Sequence, residues 1–178
     1  SKLSEIDNLN KNKRKDEAKY DVLLINTSNL EDFRKMISKL SNFALDVFVL
    51  GSSDEINRAA LESKKVNALV DPHYNRTFDY LNYRNSGLNH VLCKIAQDNE
   101  KTIIINFNNI IKQENSQFQA QILGRIMQNI NLCAKFKTKI RIGSFAQSDA
   151  ETKSLSELKS FCFSLGMRTE QVSEVLTS

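Results

Sequence analysis

Between Asp71 and Arg84 the chain gathers the side chains best suited to recognition or catalysis: Asp71, His73, Arg76 and Arg84, interleaved with Tyr74, Tyr80 and Tyr83. Cations alternating with aromatic rings suit RNA, because guanidinium groups pair with phosphates while rings stack on exposed bases. The same composition also describes a solvated loop carrying ordinary charges. Further cations that could meet phosphate are Arg58, Lys94, Lys137, Lys139, Arg141 and Lys153.

Metal-assisted hydrolysis is the main rival chemistry. It needs several converging ligands, and the chain offers two histidines, His73 and His90, without HxH or HExxH spacing. His73 beside Asp71 could hold a single ion weakly, and His90 reads as a surface histidine. No metal site is therefore assigned. Nucleophilic catalysis finds no support either: no GxSxG elbow is present, and Ser144 in Gly143-Ser144-Phe145-Ala146 reads as a turn residue. Cys93, Cys133 and Cys162 fall far apart in helical patterns, which predicts free, buried thiols in a reducing compartment. No catalytic residue is expected in the chain itself.

The elements that position these residues alternate in type. Apolar runs at Tyr20–Asn26, Ala44–Leu50, Val66–Val70, Lys101–Phe107 and Lys139–Gly143 predict five strands, the first buried on both faces. Helical periodicity follows each of them. Leu30, Phe33, Ile37 and Leu40 share one helix face behind a Ser28 or Asn29 cap, and Ser53 caps the helix that carries Arg58. Ser86 is expected to cap a helix burying Leu88, Val91, Leu92, Ile95 and Ala96, with His90 and Lys94 on the opposite side. A longer helix buries Phe118, Ile122, Ile126, Ile130 and Ala134. The next buries Leu155, Leu158, Phe161, Cys162 and Leu165 and ends at a left-handed Gly166; Thr169 caps the last. Connections of this length make right-handed parallel crossovers. The fold class is therefore α/β, a (β/α) TIM-barrel-like arrangement with five strong strand–helix units. In such a sheet Arg58, Arg76 and Lys153 gather at the strands' carboxyl ends, where their loss should barely alter stability.

Composition narrows the partners. Twenty-five basic against 21 acidic residues leave a net charge of +4, which permits a polyanionic partner without requiring one. No run is long and apolar enough to span a bilayer, and no apolar h-region follows Ser1. Residues 1–18 hold few apolar side chains and a cluster of Lys11, Lys13, Arg14 and Lys15, so a flexible basic segment is expected ahead of one domain over 19–178.

The stretch Asn57-Arg58-Ala59-Ala60, then Val66 to Pro72, Asn75-Arg76 and Gly87-Leu88-x-His90-Val91-Leu92-x-Lys94 resembles the archaeal ribonuclease P component 3 family, the counterpart of the eukaryotic thirty-kilodalton subunit. The likeness resumes at Gly143-Ser144-x-Ala146 and Leu165-Gly166-Met167, and covers roughly residues 20–178. It implies a barrel whose usual sequence begins with strand–helix material ahead of the equivalent of Tyr20, material this chain is expected to lack. It also implies a non-catalytic protein subunit of ribonuclease P, the endoribonuclease that removes the 5′ leader from precursor tRNA. Magnesium would sit on the RNA, with no cofactor in the chain. Partners would be the ribonuclease P RNA, precursor tRNA through the complex, and other protein subunits, including a small one in a heterotetramer; no membrane is involved. The implied location is cytoplasmic, or nuclear in a eukaryote. The RNA-binding residues expected are Arg58, Arg76, Arg84, Lys94 and Lys153, of which the resemblance singles out Arg58 and Arg76 inside its motifs. Lys153 stands where the resemblance leads one to expect arginine, keeping the charge without the bidentate fork, and Leu155 stands where it leads one to expect proline. The alternatives are a metal-dependent phosphoesterase barrel with ligands outside this chain, or a plain α/β protein-interaction module.

Overall fold

The structure is a computed structural model, and it describes residues 22–40, 46–146, 148 and 151–176. The expected basic segment 1–18 lies outside the described residues. Five parallel strands form one sheet in sequential order: β1 (Val22–Ile25), β2 (Asp46–Leu50), β3 (Ala68–Val70), β4 (Thr102–Asn106) and β5 (Lys139–Gly143). This is the order of a singly wound barrel, in which every crossover helix lands on the same side of the sheet.

Register explains the two faces. Ile25 pairs Val49, Val49 pairs Leu69, Leu69 pairs Ile103, and Ile103 pairs Ile140, so one row of apolar side chains crosses the sheet. The helices cover that row: α1 (Leu30–Lys39), α2 (Asp54–Glu62), α3 (His90–Asp98), the short α4 (Phe107–Ile111), α5 (Ser116–Phe136), α6 (Leu155–Ser164) and α7 (Thr169–Leu176). Two core clusters result. One joins α1 to α3 and the end of α5 to the first four strands, and the other joins α4 to α7 to β4 and β5. On the opposite face Ala68, Val70 and Ile104 are buried beside Phe48, Leu50 and Phe145, and no helical residue among those described joins them.

Several expectations change here. The first strand is not buried on both faces: Val22 and Leu24 are exposed, because among the described strands β1 pairs only with β2 and the helices cover only its Leu23–Ile25 side. Ser86 is not a cap. It is buried, with its hydroxyl donating to the Leu88 carbonyl, and the cap of α3 is Asn89, whose side chain accepts from Leu92 N. Within α3 the buried residues are Leu92, Cys93 and Ala96, so Val91 faces outward and Cys93 inward. Along α5 the buried stripe runs Ile122, Arg125, Ile126, Asn129, Ile130 and Cys133, leaving Ala134 exposed. Leu155, at the first turn of α6 behind a Ser154–Glu157 capping box, is also exposed. Asn29 and Ser53 do cap α1 and α2, and Gly166 adopts φ +82° after α6.

Candidate nucleic-acid interface

The site is built around the turn that leaves β3. Asp71 adopts φ 47°, and Pro72 is held between two glycines. A Cβ on Gly51 would lie 2.4 Å from Pro72 Cα, and one on Gly87 would lie 1.8 Å from the Pro72 carbonyl oxygen, so neither position has room for a side chain. The Asp71 carboxylate accepts from the Asn106 amide at 2.8 Å and from Asn109 Nδ2 at 2.7 Å, which ties the end of β3 to the start of α4.

Asp71 and His73 are both buried, and burial drives them in opposite directions. It pushes the Asp71 carboxyl up to about 6, against the lowering by its Asn106 and Asn109 hydrogen bonds. Burial and then the nearby Arg125 charge push His73 down to about 3. His73 Nε2 stands 3.8 Å from Asp71 Oδ1. With these values both groups are never predominantly charged at one pH, so the contact is not an ion pair. Neither ring nitrogen of His73 has a hydrogen-bond partner. Among the described residues no three His, Cys, Asp or Glu side chains are placed to hold a metal. The weak ion site considered for Asp71 and His73 thus has two enclosed groups and no third ligand.

The loop beyond is fastened down. Arg76 points inward, donating from Nη1 to Asp54 Oδ1 at 2.7 Å and from Nε to the Pro72 carbonyl at 3.3 Å. Arg125 rises from α5, fully buried, to meet Asp79 Oδ1 at 2.7 Å and the Arg76 carbonyl at 2.9 Å. Gln128 bridges the Arg84 carbonyl and the Ser86 hydroxyl, and Asn129 Nδ2 donates to the Ser86 carbonyl. Arg125, Gln128 and Asn129 escaped the sequence reading. The available signal was a cation and an amide at Arg125 and Asn129 inside the Ile122–Ile126–Ile130 stripe, a spacing that puts polar groups on the buried face.

The five sequence-predicted cations fall in different settings. Arg76 is 8% exposed and paired, so the expectation that its loss would leave stability nearly unchanged does not hold. Arg58 is exposed on α2 and pairs with Glu62 one turn on, at 2.8 Å. Arg84 lies 3.6 Å from Asp79 and against α5 at Gly124, where a Cβ would come within 2.3 Å of its Cζ. Lys94 is exposed on α3, on the same side as His90. Lys153 lies 3.9 Å from Glu157. No hydrogen bond or ion pair among the described residues joins Arg58, Arg76 and Lys153. Two further cations, Lys139 and Arg141, are exposed on the same face of β5. The aromatic residues Phe78, Tyr80 and Tyr83 are exposed, with Tyr80 and Tyr83 stacked at 4.5 Å. Ser144 is half-buried in the turn after β5, and all three cysteines are free and buried.

A sequentially ordered parallel sheet with helices on one face, polar turns at its strand ends and dispersed exposed cations defines a (β/α) barrel-like α/β protein. The chain belongs to the family described as RNase P subunit p30, which matches residues 6–178. Among its relatives, ribonuclease P protein component 3 of Methanococcus vannielii is 30% identical over 142 residues, covering 80% of this chain and 58% of that protein. The protein of the same name from Methanothermobacter thermautotrophicus is 27% identical over 156 residues, covering 88% and 60%. The chain thus spans about three-fifths of the length of these relatives. A chain from the cryo-EM structure of archaeal ribonuclease P with mature tRNA superposes with a TM-score of 0.75 at 23% identity, covering 98% of this chain and 72% of that one. An uncharacterised protein shares the fold at a TM-score of 0.65 with 8% identity.

Proposed function

We propose that the chain acts as a protein subunit of ribonuclease P, binding and stabilising the RNA that removes the 5′ leader from precursor tRNA. The observation that carries this reading is family membership across residues 6–178. The distribution of charge agrees with it. Arg58, Lys94, Lys153, Lys139 and Arg141 lie on several elements rather than around one pocket, the pattern expected of contacts to a phosphate backbone. Arg76 is read differently: it holds Asp54 and the Asp71–Pro72 turn in place and so shapes the surface from within. Magnesium chemistry is assigned to the RNA, and a small protein subunit is the expected partner in a heterotetramer. The alternative of a metal-dependent phosphoesterase barrel is not favoured.

The test is RNA affinity across a salt series for Arg58→Ala, Lys94→Ala and Lys153→Ala, with thermal melts alongside. Each lost phosphate contact should flatten the log–log slope by about 0.7–0.9. Melting points should hold for Arg58→Ala and Lys94→Ala, because exposed charges contribute about 0–1 kcal/mol, and drop little for the half-buried Lys153→Ala. Arg76→Ala should behave in the opposite way, lowering the melting point because it empties a buried site and removes the hydrogen bond that holds the Pro72 carbonyl. Unchanged slopes for all three variants would sink the RNA-binding assignment of these residues.

A further inference from the structure

Two of the three cysteines lie against each other. Cys93 on α3 and Cys133 on α5 are fully buried in the same core cluster, the one that joins these helices to the first four strands. One residue holds both backbones. The Thr138 amide donates to the Cys133 carbonyl at 2.9 Å, and the Thr138 hydroxyl donates to the Cys93 carbonyl at 2.9 Å. The side chains meet as well. The hydrogen bond between the two thiols lowers the Cys93 pKa against the raising effect of burial, with help from Thr138, and the same bond pushes Cys133 up together with burial. Cys162 stands apart in the other cluster, where burial pushes its thiol up to about 11.

A single buried cysteine packs as a small apolar side chain and calls for nothing more. A pair in contact is different, because its sulfurs need only an ångström-scale approach to reach the S–S bond length of about 2.05 Å. The Thr138 tether keeps the end of α5 beside α3 while that approach is made. Burial selects the oxidant. Enzymes and bulky disulfides do not reach enclosed sulfurs, whereas hydrogen peroxide is close to water in size and enters on brief local opening. Cys93 is the first nucleophile, since the Cys133 and Thr138 donors stabilise its thiolate.

We propose that Cys93 and Cys133 form a reversible oxidation site, at which hydrogen peroxide closes a disulfide that staples α3 to α5. The Cys93 thiolate attacks one peroxide oxygen, the O–O bond breaks and hydroxide leaves, giving a sulfenic acid. The Cys133 sulfur attacks the Cys93 sulfur, the S–O bond breaks and a second hydroxide leaves. The two thiol protons convert both hydroxides to water, so two thiols are oxidised and one peroxide is reduced. The bond closes a loop between residues 93 and 133, which restricts the unfolded chain, and the oxidised protein should need more urea to unfold.

The test treats the native full chain with hydrogen peroxide, quenches with catalase, unfolds the protein, alkylates the remaining thiols and maps a non-reduced tryptic digest. Cleavage after Arg84, Lys94, Arg125 and Lys135 places Cys93 and Cys133 in separate peptides, and Cys162 falls in a third. The expected product joins peptide 85–94 to peptide 126–135, at least tenfold over any link to Cys162, and disappears on treatment with dithiothreitol. The urea midpoint should rise on oxidation of the wild-type chain and stay unchanged on the same treatment of Cys133→Ala. Three alkylated thiols after treatment, or sulfinic acid at Cys93 in place of the link, overturns the proposal. So does a linked pair that forms only when peroxide is added to the unfolded chain, because the folded contact would then play no part.

Discussion

At the scale of single residues, the buried pair Asp71 and His73 makes the sharpest prediction. An acid whose folded pKa is raised holds its proton more tightly when folded, so Asp71 stabilises the fold at low pH. That contribution fades as pH rises from its ordinary value of 3.8 through about 6. A histidine whose folded pKa is lowered does the reverse: His73 costs nothing above its ordinary value of 6.5, and the fold loses stability as pH falls from there toward about 3. Between about pH 4 and 6 the folded state gains one proton at Asp71 and forgoes one at His73, so the two slopes cancel. Removing either partner should unmask the other. Asp71→Asn, which tolerates the positive φ, should lose about 1.4 kcal/mol of stability per unit as pH falls across this window relative to wild type, and His73→Gln should gain about as much. Urea melts at half-unit pH intervals measure this, and parallel pH profiles for wild type and both variants would show that the pair does not titrate as described. Neither role was visible in the sequence. His73 next to Asp71 reads there as a weak metal pair and Arg76 as a phosphate ligand, because spacing along a loop does not tell whether a side chain turns in or out.

Among the elements, α5 does more than cover the sheet. Through Arg125, Gln128 and Asn129 it holds the long loop that follows β3, meeting Asp79 and the carbonyls of Arg76, Arg84 and Ser86. Arg125→Ala leaves Asp79 and the Arg76 carbonyl without this partner and opens a void beneath the loop. Breaking a buried pair from one side costs about 3–5 kcal/mol, so the variant should melt far earlier than Gln128→Ala, whose side chain sits nearer solvent. Amide exchange over residues 77–86 should accelerate in Arg125→Ala at denaturant concentrations that leave the strands protected; unaltered exchange there would mean the loop holds itself. Periodicity located α5 and most of its apolar face, since Ile122, Ile126 and Ile130 are buried as expected. It assigned Arg125 and Asn129 no buried role, because polar residues are counted as outward by default and only tertiary partners reverse that. The start of α3 was missed for a related reason: Ser86 is a strong cap by type, yet its hydroxyl is engaged by the loop and Asn89 caps the helix three residues later.

Across the whole molecule, the five strands were legible because a parallel sheet reads as continuous apolar runs, and helical spacing between them leaves few topologies. What the runs could not give is how completely each strand is covered. β3 and β4 each lie between two neighbours, and Leu69, Ile103 and Ile105 are fully buried beneath the helices. β1 pairs only with β2 among the described strands, and Val22 and Leu24 on its other face are exposed. Stability should therefore be graded across the sheet, with the central strands opening only when the whole domain unfolds and the β1 edge opening locally. Native-state hydrogen exchange tests this directly. Amides of Leu69, Ile103 and Ile105 should exchange with the free energy of global unfolding and share its denaturant dependence. Amides of Leu23 to Ile25 should exchange faster, with a shallow dependence that converges on the global line only near the unfolding midpoint. Equal protection for β1 and the central strands would mean that the edge strand is covered on its second face by chain outside the described residues, or by a partner.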